Sequence, residues 1–142
     1  MKVKNIFLVE DDQFFASTFS KRLSKIGDFQ VHHFDNCENA LLELLNIKPE
    51  IVFLDHQLKG IDGVDALPLF LENLPSTEVV VVSGQKDPEI LKKALDSGAA
   101  QYFQKDVLLM KNTESFIEEL KSEESSLKSF WSSLFNSGLN MY

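Results

Sequence analysis

Glu10, Asp11 and Asp12 stand directly after the apolar run Ile6-Phe7-Leu8-Val9, and Asp55 directly after Ile51-Val52-Phe53-Leu54. Ser83-Gly84 follows Val79-Val80-Val81-Val82, and Lys105 follows Ala99-Ala100-Gln101-Tyr102-Phe103-Gln104. Carboxylates, one hydroxyl and one ammonium together suit a divalent-cation pocket that handles a phosphoryl group. Magnesium takes oxygen ligands in octahedral geometry and uses few carboxylates, leaving places for water and phosphate oxygens. Glu10, Asp11 and Asp12 supply such carboxylates, and Asp55 serves as a third ligand or as a nucleophile. Without a cation, acids packed this way repel and drive one another toward protonation. Ser83 can donate to a transferred oxygen, and Lys105 can pair with Asp55 at rest and with the phosphoryl group afterwards. Gly84 leaves room for an incoming donor. Each residue alone also has an ordinary role: Asp12 suits a helix cap, and a lone serine or lysine is commonplace. Their appearance at the ends of four separate runs is what carries the reading.

For these groups to meet, the runs must be parallel strands whose ends share one edge of a sheet. The runs are continuous and rich in β-branched residues, as in strands covered on both faces. Between them the spacing becomes helical. Phe15, Phe19, Leu23 and Ile26 recur at three- and four-residue intervals before Gly27. Asn36 can cap a helix with Ala40, Leu41, Leu44 and Leu45 as its stripe, ended before Pro49. Asp87-Pro88 reads as a cap followed by proline at the first helical position, and Gly98 closes that helix. Pro68 is tolerable only in a first turn, so the helix within 63–73 is expected to start near Asp65. A fifth is expected to begin near Asn112-Thr113. Strands are expected near 5–10, 30–35, 50–55, 78–83 and 100–104, the second more polar and near the sheet edge. The fold class is thus α/β: five strand–helix repeats, a parallel sheet wrapped by helices with right-handed crossovers.

The 142 residues fit one ordinary domain, 44% hydrophobic and 25% charged, with a net charge of −8. That charge, with no basic cluster beyond Lys92-Lys93, argues against DNA binding. Cys37 is the only cysteine, which excludes an intrachain disulfide and agrees with a reducing compartment. The apolar stretch after Met1-Lys2-Val3-Lys4 is too short for a signal segment, and no run approaches a membrane span, so a cytoplasmic location is expected.

Over roughly residues 4–121 the chain resembles the receiver domain of two-component response regulators. The likeness rests on Phe7-Leu8-Val9-Glu10-Asp11-Asp12, on Asp55 through Gly63, on Val82-Ser83-Gly84, and on Gly98 through Lys105. The resemblance implies a doubly wound, flavodoxin-like (βα)5 fold with strand order 2-1-3-4-5. It implies that Glu10 and Asp11 serve magnesium (or manganese) together with Asp55 and the backbone carbonyl of Gln57. Asp55 would be the phosphoacceptor, contacted through its phosphoryl group by Ser83 and Lys105. Ser83 and Tyr102 would form the switch, repacking the face made by the fourth helix, fifth strand and fifth helix. Gln57 and Gln85 occupy positions that tune how long the acyl phosphate survives. Implied partners are a sensor histidine kinase or phosphotransfer protein and a downstream protein effector. The protein would be the substrate of its own phosphorylation and dephosphorylation rather than an enzyme acting on others.

The chain departs from that family at Lys59 and Asp106, where proline is common. The second departure bears on the cis peptide usual after the lysine, because a cis bond before a non-proline residue costs about 3 kcal/mol. His56, beside the acceptor, is expected to face a neighbouring helix or solvent, and His32 and His33 are expected to be structural. A constitutive pseudo-receiver that has lost phosphotransfer is one rival reading. A magnesium-dependent phosphohydrolase of the haloacid-dehalogenase type is another, weakened because Gln57 stands where such enzymes carry a second acid. The receiver is expected over 1–121, with an amphipathic, helical extension over 122–142. In that extension Leu127, Phe130, Trp131, Leu134 and Phe135 recur at helical intervals on a serine-rich stretch. Such a face is expected to fold back, to bind a partner or to meet a second copy of the chain, and not to insert into a membrane.

Overall fold

Each expected apolar run forms a strand. The computed structural model describes residues 2–136, apart from the side chains of 124–126. Its elements are β1 (Asn5–Val9), α1 (Gln13–Ile26), β2 (Gln30–Phe34), α2 (Cys37–Ile47), β3 (Ile51–Asp55), α3 (Gly63–Asn73), β4 (Glu78–Ser83), α4 (Pro88–Asp96), β5 (Gln101–Gln104) and α5 (Leu109–Asn136). All strand pairs are parallel, in the order β2-β1-β3-β4-β5. The order reverses at β1, so the ends of β1 and β3 flank a natural crevice.

Alternation along the strands feeds two apolar layers, one on each face of the sheet. Ile6, Leu8, Phe53, Val80 and Phe103 pack with Phe19 and Leu23 of α1 and with Phe116 and Ile117 of α5. Phe7, Val9, Val52, Leu54 and Val81 pack with Leu44 of α2, Leu67 and Phe70 of α3 and Ala94 of α4. Every residue of β3 is buried, whereas β2 is only partly covered, as its polar sequence predicts for an edge. Burial of each large side chain contributes about 1.5–3 kcal/mol, so these layers hold the strand ends in fixed register.

Helix ends follow local chemistry. The side chains of Asp12, Asn36, Asp62 and Asp87 each accept a backbone N–H at the start of a helix. Gly98, at φ +104°, makes the left-handed turn that returns α4 to β5. Three expectations need correction. Helix α3 starts at Gly63, not near Asp65, because Asp62 caps it by accepting the Val64 N–H at 2.9 Å. Pro68 therefore lies past the first turn and forfeits the bond its N–H would have made to Val64. Helix α5 starts at Leu109, ahead of Asn112, because the Asp106 carboxylate accepts the Leu108 N–H at 2.9 Å and Leu109 is buried. Leu45 points outward; the buried stripe of α2 is Cys37, Ala40 and Leu44.

Beyond Leu120, the last buried of the described residues of α5, the helix runs on unbroken to Asn136 with Leu127, Phe130, Trp131 and Phe135 exposed. Residues 137–142 of the expected extension lie outside the described residues.

Candidate functional site

Register brings the sequence-predicted groups to one edge. Val9 pairs with Leu54 and Asp55 with Val82, so Glu10, one step past β1, sits level with Asp55. Ser83 pairs with Gln104, which places Lys105 one step beyond it. The Lys105 N–H bonds the Ser83 carbonyl at 2.8 Å and the His56 N–H bonds the Val82 carbonyl at 3.0 Å, so both crossings are held by backbone.

Glu10, Asp11 and Asp55 each offer a carboxylate oxygen within 4.8 Å of the others. Glu10 is 1% exposed and Asp55 7%, while Asp11 lies at the mouth. Asp12 is not part of this cluster; its carboxylate accepts the Phe15 N–H at 3.1 Å as the cap of α1. Lys105 reaches in from β5, with Nζ 4.2 Å from the centre of the Phe15 ring. The ammonium is hydrogen-bonded to Glu10 Oε1 and stands 3.6 Å from Asp55 Oδ2. The expected resting pair with Asp55 is therefore shared, with Glu10 the nearer partner.

Burial pushes the Asp55 carboxyl up, to about 7, helped by the hydrogen bond and like charge of Glu10. The Lys105 ammonium and the Gln57 N–H, 3.3 Å from Asp55 Oδ1, oppose that rise. A buried carboxyl held toward its acid form, with two further carboxylates beside it, is a fitting donor set for a hard, oxygen-seeking divalent cation. An open cleft of about 480 Å³ beside the notch, lined by Asp11, Asp35, Glu38 and Lys59 among others, keeps it accessible.

Ser83 is 1% exposed. Its Oγ donates to the Gln85 carbonyl at 3.2 Å and accepts the Gln85 N–H at 3.1 Å. The half-buried Tyr102 donates from its hydroxyl to the same Gln85 carbonyl at 3.0 Å. The two proposed switch residues thus share one acceptor. The Gln57 and Gln85 side chains are exposed at the rim. A Cβ added at Gly84 would have no heavy-atom neighbour within 4 Å, so space above Ser83 is open whatever stands there. Gly63 is where a side chain is excluded: a Cβ would lie 2.0 Å from the Asp55 carbonyl oxygen, and this contact seats α3 directly beneath the acceptor. Lys105-Asp106 is trans, as are the other described peptide bonds.

The structure adds one contact that residue types did not suggest. His33 Nε2 donates to the Glu10 carbonyl at 2.7 Å, and the Glu10 N–H bonds the Phe34 carbonyl at 2.9 Å, so β2 clamps the acidic turn. The signal was the parallel pairing itself, which aligns Leu8 with His33 and Val9 with Phe34. His32 bonds Asn5 at 3.0 Å, a structural role. His56 is buried and faces the cap of α3, with Nδ1 3.8 Å from Asp62 Oδ2.

Residues 6–118 match the family described as the response regulator receiver domain. The chain is 30% identical over 99 residues to the chemotaxis protein CheY of Listeria monocytogenes, covering 69% of this chain and 83% of that protein. It is 29% identical over 103 residues to a protein-glutamate methylesterase/protein-glutamine glutaminase of Lawsonia intracellularis, covering 70% of this chain and 29% of that protein. The chain therefore spans less than a third of the length of such relatives. Among solved structures, a CheY-like receiver domain protein from Methanospirillum hungatei superposes with TM-score 0.77 at 22% identity, over 88% of this chain and 99% of that one. A BeF3-activated DrrB receiver domain superposes with TM-score 0.68 at 25% identity, over 82% and 99%.

Proposed function

The chain belongs to the response regulator receiver domain family, and from that premise we propose that it is a signalling switch phosphorylated on Asp55. The observation that carries this reading is the convergence of Glu10, Asp11, Asp55 and Lys105 at one strand edge. The Asp55 carboxylate attacks the phosphorus of a phosphohistidine on a sensor kinase or phosphotransfer protein. A new O–P bond forms as the N–P bond breaks, and the imidazole leaves. Ser83 Oγ donates to a phosphoryl oxygen once it releases the Gln85 carbonyl, and the Lys105 ammonium neutralises the charge that accumulates. Glu10, Asp11, Asp55 and the Gln57 carbonyl would hold Mg²⁺ or Mn²⁺, which supplies charge neutralisation between carboxylates and phosphoryl oxygens. Positioning and charge stabilisation account for most of the catalysis in such a transfer.

With Ser83 drawn away, Tyr102 is the sole hydroxyl donor to Gln85, and the contact between β5 and the start of α4 is rearranged for a downstream protein effector. Gln57 and Gln85, at the rim, set how readily water reaches the acyl phosphate. In this reading residues 1–121 are the receiver and 122–142 an extension for protein contact. Acetyl phosphate with Mg²⁺, followed by intact-mass measurement, tests the proposal. One added phosphoryl group is expected in the wild type and none in Asp55→Asn. An unchanged wild-type mass would favour a constitutive interaction module, the reading that the departures at Lys59 and Asp106 keep open.

A further inference from the structure

The distal part of α5 carries an apolar face whose described residues Leu127, Phe130, Trp131 and Phe135 are exposed. From Lys121 to Asn136 it extends roughly 24 Å past Leu120, at 1.5 Å per residue. In proteins the stability of such a helix comes chiefly from packing of its amphipathic face. Leu127 is 58% exposed, Phe130 56%, Trp131 45% and Phe135 70%. The Phe130 and Trp131 rings meet edge-on at 5.6 Å, which groups them into one ridge. Leu120, Leu127 and Leu134 recur at seven-residue intervals, with Phe130 and Trp131 falling between the last two. This is the spacing of a seam between two helices.

We infer that the ridge Leu127–Phe130–Trp131–Phe135 pairs with the same ridge of a second copy of this chain. Two observations favour a second copy over another occupant. The first is area. The four side chains present roughly 400–500 Å² per helix, so a symmetric pair covers about 900 Å², close to the roughly 1,000 Å² at which specific interfaces begin. A weak dimer fits that figure. The second is charge. Although the whole chain carries −8, the charged residues of this segment are Lys121, Glu123, Glu124 and Lys128, which sum to zero. Two copies can therefore meet here without the repulsion their bodies would impose. Because a two-fold axis presents the same patch to itself, no second complementary surface is needed. A membrane surface is disfavoured by the serines that fill the polar face in place of Lys/Arg.

The test needs no phosphorylation, so its outcome is independent of the role of Asp55. Sedimentation velocity of the full chain should show a monomer near 1 μM and a mass rising toward twofold by about 200 μM. Leu127→Glu and, separately, Trp131→Glu should hold the chain monomeric throughout. Both positions are exposed, so the far-UV spectrum and melting temperature measured on dilute samples should match wild type. Trp131, the only tryptophan, should shift its emission to longer wavelength as the wild type is diluted. A wild type that stays monomeric at 200 μM overturns the inference. So does a dimer that survives both charge substitutions, because its interface would then lie elsewhere.

Discussion

Asp55 meets two opposed demands: a nucleophile must be ionised, yet burial and Glu10 favour its acid form. Folding raises its pKa from 3.8 to about 7, so between those values the folded chain holds a proton that the unfolded chain has released. Linkage then has a definite sign: metal-free protein loses stability as pH climbs through that window. Urea melts at pH 5 and pH 8 without divalent cation should show the decline, and Asp55→Asn should flatten it. An equal slope in the variant would assign the effect to other groups. The lone cysteine behaves differently. Burial, reinforced by Glu38, pushes the Cys37 thiol up to about 12, leaving it a small apolar packing residue in the first turn of α2.

At the scale of elements, the strands were legible because buried parallel strands are short apolar runs that stop where the chain turns polar. The order of groups around the notch followed from those stops. Two helix starts were misplaced because an aspartate cap can recruit residues that propensity alone would leave in a loop, as Asp62 does for Gly63 and Asp106 for Leu109. The preference of Lys105 for Glu10 was not legible. It joins residues 95 positions apart, with the ammonium lying over the Phe15 ring of another element. Pro68 offers a measurement at this scale. It is exposed in the second turn of α3 and leaves Val64 without its intrahelical donor. Pro68→Ala should therefore stabilise the fold by about 1–2 kcal/mol in chemical denaturation, with no change in phosphoacceptance. A loss of stability would mean that the proline is compensated within the helix.

For the molecule as a whole, a chain of net charge −8 that gathers three carboxylates at one edge should gain stability from a divalent cation. Ligand binding to the folded state alone adds about 2.7 kcal/mol at one hundred times the dissociation constant, so the melting temperature should climb steadily with Mg²⁺. Asp11→Asn should lose most of that climb, and an equal climb in the variant would place the ion elsewhere. The unbroken course of α5 has a mechanical consequence. Its 28 residues make a rod of about 42 Å, gripped at one end by Leu109, Phe116 and Leu120. The free arm beyond Leu120 is about 24 Å, so a rotation of about 10° at that grip would sweep the far tip through roughly 4 Å, a distance comparable to a side chain's width. Small repacking beside β5 would thus arrive at Phe135 as a displacement large enough to engage or release another surface.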